Sequence, residues 1–187
     1  MNQDFLRNKN YAGFSFLETI ISVFLISIGM IAVIGLMLSS LRESMDSRDQ
    51  VIATLLSQEG IELVRSIRDN NWVNDLDSFA GFPNISRKYC FIDAIDNSIH
   101  CGATSFVLKL GDEGNSTYQK IYNYNSGTNT KFQRRIEIKY DNDTEKNMVT
   151  VTSIVVWGDK TPTLLEKCIS SNKCVYTKTT LGRWGGN

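Results

Sequence analysis

The chain has 187 residues, and its 20 basic side chains balance its 20 acidic ones, so it carries no formal net charge. This balance favours neither a nucleic-acid partner, which a basic excess would indicate, nor an acidic solvating tail. The two prolines and 13 glycines exclude a low-complexity chain. The length allows one domain of ordinary size, and a smaller one if part of the chain forms a membrane helix.

An apolar run without any charge, TIISVFLISIGMIAVIGLML, occupies residues 19–38. As a helix it would rise about 30 Å, which is the thickness of the hydrocarbon core of a bilayer. Arg7 and Lys9 precede the run, and Asp4 is the only acid among residues 1–13. Positive charge keeps that end of a membrane segment in the cytoplasm. We therefore expect a single pass through the inner membrane, with the C-terminal part outside.

A glycine stands before the apolar run, in the sequence YAGFSFLETII. Gly13, then Phe14, then Glu18 at the fifth position after the glycine, resemble the class III leader of type IV prepilins. The resemblance implies that a prepilin peptidase cuts between Gly13 and Phe14 and methylates the new amine on Phe14. It also implies a leader of residues 1–13 and, over residues 14–40, a helix that spans the membrane and later joins the core of a filament.

Glu18 lies close to the edge of the apolar run, and two interpretations of it stay open. A carboxylate at the centre of a membrane span costs roughly 2.5–3.5 kcal/mol and usually marks function. In the first helical turn, the helix dipole and the nearby headgroups favour it without any further role. In the filament that the resemblance implies, Glu18 pairs with the free ammonium of Phe14 in a neighbouring subunit, and such a buried pair fixes register. Because Gly13 and Phe14 precede Glu18 in the same motif, we prefer the interpretation in which Glu18 pairs with a neighbouring subunit.

The helical pattern continues beyond Leu38 but becomes amphipathic. We expect residues 41–71 to form the spine helix of the head, and the sequence DNNW at residues 69–72 to end it, because these residues are poor helix formers. Glu62 and Arg65 have the spacing of a surface ion pair and predict a solvated face. The apolar positions of the spine are Leu41, Met45, Ile52, Leu56, Leu63 and Ile67.

Period-two patterns follow a loop near residues 81–84. KFQRRIEIKY, residues 131–140, and MVTVTSIVVW, residues 148–157, predict an antiparallel hairpin with one face against the spine helix. Arg134 and Arg135 fall on opposite faces of the first strand, so they do not form a basic patch for nucleic acid. The further strand candidates are residues 87–93, 105–110, 117–124 and 175–184.

These elements predict an α+β fold in which the long N-terminal helix packs on an antiparallel β-sheet, within a β-rich head at residues 72–187. A strand of alternating valine and threonine that ends in Trp157 precedes a polar turn and a threonine-rich strand that ends in Trp184. This pattern resembles the minor pilins called pilus modification proteins. The segment LSQEGIELVRSIRDNNW, residues 56–72, is similar to the spine-to-loop junction of minor pilin-like proteins. The resemblance implies a pilin-like head.

All four cysteines fall in the head, which the expected orientation places in an oxidising space. Four cysteines allow three pairings, and we favour the sequence-local disulfides Cys90 with Cys101 and Cys168 with Cys174. Each would close a short loop and stabilise the head by about 2–4 kcal/mol. No C-x-x-C spacing occurs, so we expect no metal bound by cysteine.

The remaining polar motifs predict no catalytic or cofactor site. His100 adjoins Cys101, but adjacent residues of a strand point to opposite faces, so we interpret it as a loop histidine without a catalytic role. DNDTE, residues 141–145, lacks the glycine and the later glutamate of a calcium loop and predicts a hairpin turn. GDEGNS, residues 111–116, has no lysine after its glycines and predicts a turn rather than a phosphate site.

We therefore expect a structural, non-enzymatic filament subunit, and specifically a minor pilin displayed at the cell surface. Its partners would be prepilin peptidase, other pilin subunits, the membrane and, indirectly, the assembly platform with its ATPase. No cofactor, metal or nucleic acid is expected. Two alternatives stay open: a minor pseudopilin of a type II secretion or competence system, and a signal-anchored surface domain outside any filament. The last alternative predicts a convergent catalytic set in the head, and the sequence contains none.

Overall fold

The structure, a computed structural model, describes residues 13, 15–102, 105–114, 117–142, 144–158 and 168–183. The chain divides into two compact units, with the boundary between Asp46 and Ser47. Some positions with a sequence prediction lie outside the described residues, namely residues 1–12, Phe14, residues 115–116, Asp143 and Trp184.

A single long helix, α1, runs from Phe16 to Val73. Its buried residues all lie in the second unit and recur every three or four positions, as expected for the spine of a head. One stripe of the helix therefore packs on other elements, and the opposite stripe faces solvent. The buried residues are Ala53, Leu56, Ser57, Gly60, Ile61, Val64, Ile67, Arg68 and Asn71.

The helix ends later than the sequence predicts, because it continues through residues 69–72. Asn71 accounts for the difference. Its buried side-chain amide donates hydrogen bonds to the carbonyl oxygens of Ser78, at 3.3 Å, and Ala80, at 2.8 Å. These bonds hold the following loop against the last turn of the helix, and tertiary contacts of this kind override weak local propensity.

Seven strands form one antiparallel sheet. The fifth strand is the longest and lies in the middle of the sheet. It pairs with the sixth strand along one edge and with the first and third strands along the other. The sixth strand also pairs with the seventh. This arrangement confirms the predicted α+β class. The strands are β1 (Arg87–Ile92), β2 (Ile99–Cys101), β3 (Val107–Leu110), β4 (Tyr122–Asn123), β5 (Thr128–Tyr140), β6 (Met148–Trp157) and β7 (Cys174–Gly182).

The predicted strand at residues 117–124 is largely wrong, since only Tyr122 and Asn123 form β4. The residues before it fold into a turn in which the Lys120 N–H donates to the Gly111 carbonyl at 3.0 Å. The strand β2 was not predicted, because its three residues are too few to show an alternating pattern. His100 lies in β2, so its interpretation as a loop residue is wrong.

The hairpin of β5 and β6 presents one face to α1, as predicted. On β5 the alternate residues Phe132, Arg134, Ile136, Ile138 and Tyr140 are all buried. The four apolar residues of this set pack with the inward residues of β6 and the buried stripe of α1 in two apolar clusters. Full burial of each aliphatic side chain contributes about 1.5–3 kcal/mol, so this interface stabilises the packing of the helix on the sheet.

Candidate processing and assembly site

The start of α1 places a carboxylate in the first helical turn. The Ser15 carbonyl accepts the N–H groups of Glu18, at 2.9 Å, and Thr19, at 3.2 Å, and the helix begins at Phe16. Ser15 and Glu18 therefore have the S-x-x-E spacing of a capping box. The partial positive charge at this helix end favours the Glu18 carboxylate.

Gly13 is exposed, and a Cβ atom built on it would meet no other atom within 4 Å. The backbone at the predicted cleavage position is therefore open to an enzyme. Phe14, the other residue of the predicted cleavage site, lies outside the described residues.

The polar side chains in the apolar part of α1 bond to their own helix. The hydroxyl groups of Thr19, Ser22 and Ser27 donate to the carbonyls of the residues three or four positions earlier, each at 2.7 Å. In lipid an unpaired polar group costs several kcal/mol, so these local bonds make the segment suitable for a hydrocarbon environment.

The apolar part of α1 is fully exposed in the isolated chain. By length and composition this helix can cross a membrane, and none of its most apolar window is buried. Phe16 is 81% exposed and Ile31 is 71% exposed. A continuous exposed surface of this kind marks contact with lipid or with other proteins.

Residues 8–34 match the family model of the prokaryotic N-terminal methylation motif. Together with the long apolar helix, this motif is typical of a type IV pilin-like protein, and the helix packed on an antiparallel sheet has a pilin-like layout. The motif implies processing by prepilin peptidase and assembly with other pilin subunits. No curated protein and no solved structure matches the chain.

The cysteines form two disulfides in the head, Cys90–Cys101 and Cys168–Cys174. Cys90 and Cys101 are direct partners in the ladder between β1 and β2, so their disulfide fixes the register of this strand pair. Cys168 and Cys174 pack against Ile154 on the side of β6 that faces away from α1.

The Nε2 atom of the His100 ring contacts two polar side chains. Its Nε2 lies 2.8 Å from Asp96 Oδ2 and 2.7 Å from Ser98 Oγ, while its ring stacks on Phe91. The neighbouring Cys101 is in a disulfide, so it does not form a thiol nucleophile with His100 as its base. Burial would raise the pKa of the Asp96 carboxyl, but hydrogen bonds from His100 and Ser98 and the charge of His100 hold that pKa below its ordinary value.

A fully buried arginine, which the sequence analysis placed on a strand face but gave no role, joins three elements of the head. Arg134 donates to the carbonyls of Leu56 in α1 and Ile92 in β1, both at 3.2 Å, and to Glu59 Oε2 at 3.1 Å. It also donates to the Tyr124 hydroxyl at 3.3 Å. The sequence feature that indicates this role is an arginine at an inward position of an alternating strand, because a buried charge needs partners.

Tyr124 extends this polar cluster to a second buried charge. Its backbone N–H donates to Asp93 Oδ2 at 2.9 Å, and Asp93 also accepts the N–H of Ile95 at 2.9 Å. Burial raises the pKa of the Tyr124 phenol above its ordinary value, and the positive charge of Arg134 opposes this only in part. Every member of the cluster is bonded, and satisfied networks of this kind favour a unique packing of the core.

In the acid-rich turn between β5 and β6, side chains accept hydrogen bonds from backbone N–H groups of the same hairpin. Asp141 Oδ1 accepts the Met148 N–H at 3.1 Å, and Asn142 Oδ1 accepts the Thr144 N–H at 2.9 Å. Within the part of the chain that the structure describes, no group of three or more His, Cys, Asp or Glu could hold a metal ion.

Proposed function

We propose that this chain is a minor pilin, a structural and non-enzymatic subunit of a type IV pilus or a related filament. The observation that carries the proposal is a carboxylate, Glu18, in the first turn of α1, immediately before the uncharged residues 19–38 and five positions after an exposed Gly13. The head has loops of its own and two disulfides, which support a specialised subunit rather than the main subunit that is repeated along the filament.

In the proposed sequence of events, the precursor inserts once in the inner membrane with its head outside. Prepilin peptidase cuts after Gly13 and methylates the amine of Phe14. The apolar helices then leave lipid and pack together, and Glu18 pairs with the Phe14 amine of a neighbouring subunit to set the register. A partner ATPase, acting through the assembly platform, supplies the energy for extension.

Replacing Glu18 by Gln tests the role of the carboxylate, because the amide keeps the size and removes the charge. We expect normal cleavage by the peptidase, but at least about tenfold less protein in sheared filaments, since a buried ammonium then lacks its partner. Glu43→Gln, at an exposed position of the same helix, is the matched control and should enter filaments normally. Equal incorporation of the Glu18→Gln variant and the unmodified chain would overturn the proposed pairing.

The ratio of this chain to the main subunit in purified filaments separates a minor pilin from a main building block. We expect far fewer copies of this chain than of the main subunit in surface pili. Recovery only in filaments of a secretion or competence system would instead identify a pseudopilin.

A further inference from the structure

A small polar recess lies in the head between the loop that follows α1, the turn between β5 and β6, and the end of β7. Its volume is about 240 Å³. None of its lining residues belongs to the N-terminal motif, so the proposed assembly site does not account for it. The lining side chains that matter for a ligand are Asp77, Phe82, Asn84, Tyr140, Lys146 and Arg183.

Hydrogen bonds hold the walls of the recess together. The Tyr140 hydroxyl donates to the Pro83 carbonyl at 2.8 Å, which joins the end of β5 to the loop after α1. The Arg183 N–H donates to the Asn147 carbonyl at 3.0 Å, which joins the end of β7 to the turn between β5 and β6. Because the walls are already fixed, little ordering is needed when a ligand binds, and the cost in conformational entropy is small.

Two cations and one acid line the recess. Arg183 forms an ion pair with Asp77, whose other carboxylate oxygen accepts the Phe79 N–H at 2.9 Å. The pair orients the guanidinium, which has five N–H donors and keeps some of them for a second acceptor. Lys146 Nζ lies 5.5 Å from the centre of the Tyr140 ring and forms no ion pair within the part of the chain that the structure describes. The lining therefore has one positive charge in excess.

Asn84 adds a neutral polar group to the same recess. Its side chain is exposed and makes no hydrogen bond to any residue that the structure describes. An amide side chain donates and accepts hydrogen bonds, so it suits the hydroxyl groups of a ligand. Phe82 and Tyr140 are only 8% and 4% exposed, so polar groups form most of the surface. A purely apolar ligand does not suit such a lining.

Size and chemistry together restrict the ligand. Sites for drug-sized molecules have volumes of roughly 300–1,000 Å³, so this recess fits one small ring rather than a segment of a polymer chain. The excess positive charge favours an anion, and the planar guanidinium of Arg183 matches the geometry of a carboxylate. The amide of Asn84 favours a ligand that also has hydroxyl groups. A sugar acid has all of these features, namely one ring, one carboxylate and several hydroxyls.

We propose that this recess binds a single sugar-acid unit, whose carboxylate contacts Lys146 and Arg183 and whose hydroxyl groups contact Asn84. Asp77 is a positioning residue, since it orients Arg183 rather than contacting the ligand. The proposal goes beyond the filament function and does not depend on it, because every residue of the recess belongs to the head. A subunit with this site would recognise acidic sugar units outside the cell.

Calorimetric titration of the full chain in a neutral detergent tests the proposal, with galacturonate and glucuronate as probes and galactose as the uncharged control. We expect at least one of the two sugar acids to bind at least about tenfold more tightly than galactose, because hydrogen bonds between charged groups are the strong ones. Inorganic phosphate should bind more weakly than that sugar acid, since it leaves Asn84 without a partner.

Two variants and a matched control locate the site. Lys146→Gln removes the unpaired cation and Asn84→Asp adds a repelling carboxylate, so each should weaken binding of the sugar acid at least about tenfold. Lys178→Gln, at an exposed position of β7 outside the recess, should change it less than about twofold. Thermal unfolding should be the same for all three, which shows that the head stays folded.

Several results would overturn the proposal. These are an absence of binding by both sugar acids, equal affinity for galactose, phosphate binding as tight as that of the sugar acids, and unchanged binding by Lys146→Gln. None of them bears on entry into filaments, so the proposed function stands or falls on its own experiments.

Discussion

Arg134 carries a positive charge into the interface between helix and sheet, where it is completely buried. Its guanidinium joins backbone carbonyls of α1 and β1 and the side chains of Glu59 and Tyr124. Three of these partners lie 42 to 78 residues away along the chain, so the contacts are tertiary. The arginine thus ties the spine helix to the sheet, and an apolar side chain at this site would remove the ion-pair partner of Glu59.

Replacing Arg134 by Met should lower the free energy of unfolding by about 2–3 kcal/mol, because the hydrogen bonds that the charged guanidinium donates are lost and Glu59 loses its ion-pair partner. Urea unfolding of the full chain in detergent, followed by circular dichroism, measures the effect. Lys139→Met, at an exposed position of the same strand, should stay within about 0.5 kcal/mol of the unmodified protein. An Arg134→Met variant as stable as this control would contradict the proposed tie.

The ion pair of Asp96 with His100 predicts that the free energy of unfolding changes slightly with pH in the acid range. The pKa of Asp96 is lowered in the folded state, so its contribution is present above about pH 4 and is lost as the pH falls through the folded value. Because the Asp96 side chain is 41% exposed, we expect only a few tenths of a kcal/mol.

The free energy of unfolding of Asp96→Asn, compared with that of the unmodified chain at pH 6 and at pH 3, checks the direction of this pH dependence. The stability difference should be larger at pH 6 and should shrink at pH 3. A difference that grows toward acid pH would mean that Asp96 does not act as a charged partner.

At the scale of the elements, α1 lies very close to the sheet at Gly60. A Cβ atom there would lie 2.4 Å from Ser153 Oγ and 3.1 Å from Ile136 Cδ1. Ser57, one turn earlier, donates to the Ser153 carbonyl at 2.8 Å, so helix and strand are in direct polar contact at this point. A residue without a side chain is required for that distance.

Gly60→Ala should therefore destabilise the head by about 1–2 kcal/mol, although alanine favours a helix by about 1 kcal/mol over glycine. Thermal unfolding of the variant measures the loss. Adding Ser153→Ala removes the nearest clashing atom and should restore part of the stability. Gly29→Ala, where the new Cβ meets no atom within 4 Å, serves as the control for helix propensity. Stabilisation by Gly60→Ala alone would show that the close approach is wrong.

The disulfide Cys168–Cys174 closes a loop over the outer side of β6, where it covers Ile154 and Val156. Replacing both cysteines by serine should lower the free energy of unfolding by about 2–4 kcal/mol, as expected for a short loop. Peptide mapping without reduction should recover Cys90 linked to Cys101 and Cys168 linked to Cys174. Peptides that link the first pair to the second would contradict the connectivity.

Much of the architecture was predictable, because burial imposes a period on the sequence. The alternation of β5 reflects one buried face, and the structure confirms it. The spacing of the spine is confirmed only in part: Ile52, Leu56, Leu63 and Ile67 pack in the core. Leu41 and Met45 are exposed, so the buried stripe does not extend to them. The extra turn of α1 was not predictable, since it depends on bonds from Asn71 to a loop whose position no local pattern specifies. For the same reason the partners of Arg134 could not be read from β5 alone.

At the scale of the whole molecule, the two units require different surroundings. The second unit, from Ser47 onward, buries its own core, whereas the apolar part of α1 in the first unit is exposed and uncharged beyond its first turn. A soluble monomer would leave that surface in water at a large cost in free energy. A membrane before assembly and neighbouring helices after it satisfy this requirement, which supports the account of a filament subunit.

The measurement that tests this account most directly is mass spectrometry of the intact chain and its N-terminal peptide, after expression with and without a prepilin peptidase. We predict that the mature chain begins at Phe14 with a methylated amine when the enzyme is active, and that it keeps residues 1–13 when the enzyme is absent. A leader that stays attached in the presence of active peptidase would contradict the account. Glu18 would then be an ordinary carboxylate of a first helical turn, and the chain an anchored surface domain.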